Sequence, residues 1–206
     1  MDAAQRQLND QIDDATQRLL GTARAIAEPD LRQPSLLPGW TRAHVLAHVA
    51  RGADVMRNLL VGARSGEERT AYPSAEARDA GIEESAALTA KDLVADLAGS
   101  AMALRAIARQ LNEEAWQFPV RLPDSAPFPA TRLLVIRLVE VELHHCDLGA
   151  GYGPDDWPDT FAAMELAEPL RSQRQDRLDR PRPERPAPVA TTASPPRPAR
   201  WRPVIS

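Results

Sequence analysis

The sequence predicts an all-α protein: an up-down four-helix bundle followed by a disordered Arg/Pro-rich C-terminal tail. In four long segments, apolar residues recur at steps of three and four, as they do on one face of a helix. Loops rich in proline and glycine separate these segments. No segment alternates apolar and polar residues with period two, so we expect no strands. The predicted bundle covers residues 1–165, and the tail covers residues 171–206.

The first two helices have clear boundary signals. The first has one apolar stripe and ends near Pro29. The stripe consists of Leu8, Ile12, Ala15, Leu19, Ala23 and Ile26. After the loop LRQPSLLPGW, Thr41 is the expected N-cap of a second helix over residues 42–63. Residues 64–81 are polar and rich in helix breakers, which predicts a loop, with a short helix inside it as the alternative.

The third and fourth helices are also marked by capping residues. Thr89 and Asp92 have the spacing of a capping box at the start of the third helix, although a start near Glu83 is an alternative. The fourth helix is expected to start near Pro129, since proline is tolerated in a first turn, and to stop at Gly149. The stripe of the third helix consists of Leu93, Leu97, Ala101, Leu104, Ala108 and Leu111.

The tail differs from the rest of the chain in composition. Residues 171–206 contain nine arginines, three acidic residues and eight prolines. Such a segment buries too little apolar surface to offset its chain entropy, so we expect disorder. A basic interaction tail is one alternative, and a frameshift in GC-rich DNA is another. The remaining residues carry a net charge of about −10, which argues against nucleic-acid binding through phosphate contacts.

The composition further predicts a cytoplasmic protein. The single cysteine, Cys146, excludes an intrachain disulfide and fits a reducing compartment. The N-terminal segment MDAAQRQLNDQIDDATQ is charged and polar, unlike a signal peptide. No apolar run approaches the length of a membrane span, so we expect no membrane partner. A monomer or a homodimer is expected.

All four histidines lie in two short segments, TRAHVLAHVA and EVELHHCDLG. His44 and His48 are one helical turn apart, as are Glu140 and His144. Polar side chains that face a bundle core are costly unless they are paired or bind a metal. Histidine and carboxylate groups from facing helices suit zinc or another divalent transition metal. The alternative is a solvated helix face, because pairs with this spacing also arise by chance.

Two segments, PGWTRAHVLAHVARGAD and RLVEVELHHCDLGAGY, resemble the mycothiol-dependent maleylpyruvate isomerase family, within the DinB-like metal-binding four-helix bundles. The resemblance covers about residues 5–165. It implies one divalent metal, usually zinc, and mycothiol as the thiol cosubstrate. The metal ligands that it implies are His48, Glu140 and His144. His145 should then face away from the metal.

Five further residues are expected around this site: His44, Trp40, Arg51, Arg137 and Asp147. His44 is a neighbour rather than a ligand, and Trp40 packs the loop against the bundle or lines the pocket mouth. Arg51 and Arg137 form ion pairs, or alternatively receive an acidic substrate. Asp147 orients a ligand histidine or caps the helix end. Cys146, on a different helix face, is expected to be a buried structural thiol.

The resemblance implies an enzyme whose metal lowers the pKa of a bound thiol. The thiolate adds to an activated double bond in a cis–trans isomerisation, or attacks a small electrophile in S-transfer. Relatives often carry a C-terminal α/β domain that contributes an arginine, and we expect that domain to be absent here. One alternative is a non-catalytic bundle that binds a metal or small molecule in a regulatory role. A metal-free interaction module with a basic tail is the other.

Overall fold

The computed structural model describes residues 2–180 of the chain. Four long α-helices form its body, which confirms the all-α prediction. They are α1 (Ala3–Ala25), α3 (Arg42–Ser65), α5 (Ala90–Ala108) and α7 (Arg132–Asp147). The shorter elements are α2 (Glu28–Leu31), α4 (Ala75–Ala86), α6 (Glu113–Gln117), β1 (Pro119–Val120), β2 (Phe128–Pro129), a 3-10 turn (Pro154–Asp156), α8 (Asp159–Ala162) and α9 (Leu170–Leu178). None of the helices in this part of the chain is long and apolar enough to cross a lipid bilayer.

The four long helices form a ring around one core. Helix α1 packs against α5 and α7, and α3 packs against the same two helices. The α1–α5 interface therefore lies across the bundle from the α3–α7 interface. Each helix contributes fully buried leucines, for example Leu19, Leu46, Leu97 and Leu138. Burial of each such side chain contributes roughly 1.5–3 kcal/mol, so the apolar stripes hold the ring together.

Capping residues set the helix boundaries as the sequence predicts. The Thr41 side chain accepts a hydrogen bond from the His44 backbone N–H at the start of α3, and the Thr41 backbone N–H donates to His44 Nδ1. The Thr89 hydroxyl accepts from the Asp92 backbone N–H, 3.2 Å away, at the start of α5. Gly149 ends α7 with a φ of 59°, a left-handed conformation that favours glycine.

The segment before α5 follows the stated alternative, a short helix, rather than a loop throughout. Residues 64–81 are predicted as a loop, yet α4 begins at Ala75, with the Ser74 side chain as its N-cap. Helix α4 buries only Ile82, Ser85 and Ala86, so it has no apolar stripe to reveal it. Its stability comes from packing against α3, which the sequence pattern does not show.

The start of α7 also differs from the prediction. Pro129 lies in β2, which pairs antiparallel with β1, so that Pro119 is opposite Pro129 and Val120 is opposite Phe128. The helix itself begins at Arg132. The expectation of no strands is therefore wrong for this hairpin, because strands of two residues are too short to show a period-two pattern.

Helix α9 contradicts part of the predicted disorder. It covers Leu170–Leu178 and packs against α7, with the side chains of Leu170 and Arg177 buried. The predicted disorder is therefore wrong for residues 171–180. The remainder of that prediction, residues 181–206, lies outside the described residues.

Candidate metal centre

Three side chains meet where α3 faces α7: His48 from α3, and Glu140 and His144 from α7. His48 Nε2 lies 3.6 Å from Glu140 Oε1. The imidazole centroids of His48 and His144 lie 4.7 Å apart, with the rings edge to face. All three residues are buried. The structure therefore brings together the three side chains that the sequence singled out.

A glycine makes this approach of the two helices possible. Gly52 lies one turn after His48 on α3 and faces the Glu140 carboxyl group. A Cβ atom at Gly52 would lie 2.9 Å from both Cδ and Oε2 of Glu140, and closer still to Oε1. Real Cβ contacts are longer than this, so the Glu140 carboxylate occupies space that only a glycine leaves open.

Arg137 holds the Glu140 carboxylate. Its Nη1 donates to Glu140 Oε2 and to the backbone oxygen of Val49, both at 2.8 Å. The arginine is 1% exposed. A buried carboxylate is costly unless it is paired, and this ion pair compensates the burial of both charges. The pair fixes one Glu140 oxygen on Arg137 and leaves the other beside His48.

Asp147 orients His144. His144 Nδ1 lies 3.0 Å from Asp147 Oδ2, and this hydrogen bond fixes the orientation of the imidazole ring. Arg177 and Arg180 also pair with the Asp147 carboxylate. Burial alone would raise the pKa of Asp147, but the hydrogen bond and charge of His144, together with Arg177, hold that pKa well below its ordinary value. The carboxylate therefore stays ionised.

His48 is held in the neutral form. Burial lowers its pKa well below the ordinary value, and the neighbouring charges of His144, Arg78 and Arg137 lower it further. Neutral imidazole is the form that binds a metal. Trp40 packs on it, with the two ring centroids 5.5 Å apart, and is itself buried. Trp40 thus packs the loop before α3 against the bundle, as the sequence predicts.

Two of the expected surrounding residues make polar contacts outside the cluster. His44 Nε2 lies 3.2 Å from Glu83 Oε2, at the bundle surface. Arg51 Nη2 pairs with Asp96 at 2.6 Å and with Asp54 at 3.1 Å. Both therefore serve the packing of α3 against its neighbours.

The two residues that follow His144 in the sequence, His145 and Cys146, lie outside the cluster. His145 Nε2 lies 2.7 Å from Thr22 Oγ1 on α1, and its ring stacks on Tyr152 at a centroid distance of 3.6 Å. Burial lowers the pKa of His145 to about 4, and the charge of Arg18 adds to this. Burial raises the pKa of Cys146 to about 12, and the thiol is 4% exposed. Cys146 is therefore a buried structural thiol, as expected.

Sequence reasoning missed Gly52, Arg177 and Arg180. A single glycine within a helical pattern does not reveal which atom lies opposite it. For the arginines, the available signal is their recurrence at every third position from 171 to 180. In a segment so rich in arginine and proline, that recurrence does not stand out from the composition.

The donor set of the cluster suits a metal. Two imidazoles and one carboxylate are ligands for zinc and for other divalent transition metals. Across residues 2–180, however, no group of three His, Cys, Asp or Glu side chains stands in a ready-made metal-binding arrangement. His48, Glu140 and His144 thus fit the ion by donor type and proximity.

The fold and this cluster define a class: helical bundles with a buried His–Glu–His site between two facing helices. The family model of the mycothiol maleylpyruvate isomerase N-terminal domain matches residues 12–149. The chain belongs to this family. The match confirms the resemblance seen in the sequence and the four-helix DinB-like fold. No curated protein matches the chain.

Solved structures agree with the family. A crystal structure of the mycothiol-dependent maleylpyruvate isomerase aligns with this structure with a TM-score of 0.73. The two sequences are 30% identical, and the alignment covers 76% of this chain and 65% of that chain. A histidine-to-alanine mutant of that isomerase matches with the same values. The chain thus spans about 65% of the length of the isomerase.

A third structure supports the fold alone. It is an uncharacterised protein from Clostridium difficile 630, with 13% identity and a TM-score of 0.58. The alignment covers 72% of this chain and 95% of that chain. At this identity, the similarity concerns the arrangement of helices and not the activity.

Proposed function

We propose that this chain is a metal-dependent enzyme of the maleylpyruvate isomerase type that uses a low-molecular-weight thiol. The convergence of His48, Glu140 and His144 in the bundle carries the proposal, because a buried cluster of this composition suits a divalent ion. Membership in the mycothiol maleylpyruvate isomerase family supports mycothiol as the thiol. A reducing cytoplasm is the compartment that suits this chemistry.

The three ligands would be held by distinct supports. Arg137 fixes the Glu140 carboxylate, Asp147 fixes the orientation of the His144 ring, and burial keeps His48 neutral. A bound zinc ion would supply Lewis acidity and lower the pKa of a thiol in its open position, as it does for bound water. Because these side chains are already held in place, they need little rearrangement when the metal binds, and this favours metal binding.

The reaction itself is the addition and elimination of the thiol. Attack of the thiolate sulfur on an activated carbon–carbon double bond forms a carbon–sulfur bond and leaves a single carbon–carbon bond. Rotation about that bond, followed by loss of the thiolate, returns the trans isomer. The same thiolate would serve S-transfer to a small electrophile, with loss of a leaving group in place of rotation.

Metal analysis tests the site. Purified wild-type protein should contain a stoichiometric divalent metal, whereas His48→Ala and Glu140→Ala should contain little. His44→Ala is the matched control, since His44 lies on the same helix but pairs with Glu83 instead. Equal metal content in all four proteins would remove the site assignment.

Turnover tests the reaction class. Isomerisation of maleylpyruvate should require both the metal and added mycothiol, and it should follow metal content across the variants. A protein that binds the metal but shows no thiol-dependent turnover would be a non-catalytic, regulatory bundle. A protein without any metal would instead fit an interaction module.

A further inference from the structure

A cavity opens across the bundle from the candidate metal centre. It lies between α1 and α5, reaches inwards to α3 and α7, and has a volume of about 300 Å³. Small-molecule pockets start at about this size. Its inner wall is apolar and is formed largely by Leu20, Leu60, Leu104 and Leu134. None of the three proposed metal ligands lines it.

Arg137 is one of the polar residues that line this cavity. Its Nη1 is occupied by Glu140 and by the Val49 backbone oxygen. Its Nε and Nη2 atoms are buried and have no hydrogen-bond partner among the residues that the structure describes. In a guanidinium group, the Nε hydrogen and one Nη2 hydrogen point the same way and form a fork. The fork matches the two oxygens of a carboxylate.

The charges around the cavity favour an anion. Three arginines and one aspartate line it: Arg24, Arg105, Arg137 and Asp13. Arg105 Nη2 pairs with Asp13 Oδ2 at 2.6 Å and Arg137 pairs with Glu140, so Arg24 is the lining charge without an ion-pair partner among the described residues. The mouth carries Met102, whose side chain is exposed. A flexible apolar side chain at the mouth and leucines inside suit a ligand with an aliphatic body.

We propose that this cavity binds a small aliphatic carboxylate whose two oxygens pair with Nε and Nη2 of Arg137. The aliphatic chain of the ligand lies against the leucines between α1 and α5. Arg137 then stands between two sites, with Glu140 on one edge and the ligand on the other. The proposal holds whether or not the candidate centre binds a metal, since the cavity shares only Arg137 with it.

Calorimetric titration of the full chain, after treatment with a chelator, tests the ligand class. Octanoate should bind saturably, and octanamide, which has the same body without the charge, should bind at least about tenfold more weakly. Inorganic phosphate supplies the charge without the body and should bind more weakly than octanoate. Equal binding of octanoate and octanamide, stronger binding of phosphate, or no binding of octanoate would overturn the proposal.

A pair of substitutions tests the location. Ala101→Phe fills the cavity from α5. Ala106→Phe makes the same change on the same helix, at an exposed position outside the cavity. Octanoate affinity should fall at least about tenfold for Ala101→Phe, because the space is lost, and should stay at the wild-type value for Ala106→Phe. Wild-type affinity in Ala101→Phe would overturn the proposed location.

Arg137→Lys tests the fork, because lysine keeps the charge but has no paired donors. Octanoate affinity should fall about tenfold or more, while octanamide affinity should change little. Arg137 also holds Glu140, so circular dichroism accompanies this variant. If it does not fold, the Ala101→Phe result decides the question by itself.

Discussion

Arg177 and Asp147 form a buried ion pair that joins α9 to the end of α7. Arg177 Nη2 lies 2.8 Å from Asp147 Oδ2, and the two residues are 30 positions apart. The same oxygen receives the hydrogen bond from His144 Nδ1. A residue outside the four-helix bundle therefore helps to orient one of the proposed metal ligands.

Replacement of Arg177 should destabilise the protein. Arg177→Gln leaves the fully buried Asp147 carboxylate with one guanidinium fewer, and we expect the free energy of unfolding to fall by about 1–3 kcal/mol. Urea denaturation, followed by circular dichroism, measures this. Arg171→Gln is the matched control on α9, because Arg171 is exposed and should cost less than about 0.5 kcal/mol. Equal losses would show that the buried pair contributes nothing special.

Two glycine-to-alanine substitutions should change the free energy of unfolding in opposite directions. Gly52→Ala pushes a methyl group into the Glu140 carboxyl group and should lower the free energy of unfolding by about 1–3 kcal/mol. Gly99→Ala, in α5, meets no atom within 4 Å and should raise it by roughly 0.5–1 kcal/mol, the usual gain within a helix. Chemical denaturation compares the two. Stabilisation by both changes would contradict the close approach at Gly52.

His145 should make the stability of metal-free protein depend on pH. Its pKa is lowered from 6.5 to about 4 on folding. Between these values the unfolded chain binds a proton that the folded chain does not, so stability is lost as the pH falls from 6.5 towards 4. The loss at the acidic end should reach up to about 3 kcal/mol.

His145→Phe keeps a ring against Tyr152 and removes this titration. The plot of unfolding free energy against pH should be flatter for the variant than for wild type over the same window. Some slope should remain, because burial lowers the pKa of His48 in the same direction. Identical slopes in urea titrations of chelator-treated proteins would contradict the prediction.

Cys146 should be unreactive in the folded protein. Burial raises its pKa to about 12, so that almost no thiolate is present, and the side chain has little access to solvent. Labelling with Ellman's reagent at neutral pH should be roughly a hundredfold or more slower in native protein than in guanidinium chloride. Rapid labelling of the native state would show that α7 opens readily near this residue.

The long helices could be predicted because their signals are local. The spacing of Leu93 and Leu97, or the position of Thr41 before its helix, depends only on nearby residues. Helical spacing also places Glu140 and His144 on one face. It does not show that His48 faces them, because that depends on how α3 packs against α7. From the spacing alone a solvated face is slightly favoured, and the concentration of all four histidines in two helical pairs favours the metal site.

The elements that could not be predicted depend on long-range contacts. Helix α4 has little apolar character, and α9 is held through Arg177 by a carboxylate from a distant helix. The role of Gly52 is visible only when Glu140 lies against it. In each case, the stabilising partner is remote in sequence, so no local pattern records it.

The burial of Cys146 has one more consequence. A protein that uses a small thiol, as we propose for this chain, also meets the oxidised dimer of that thiol. Thiol–disulfide exchange needs an accessible thiolate that can attack a sulfur atom, and the folded chain does not offer one. Mixed disulfides should therefore form on the folded protein far more slowly than on the unfolded chain.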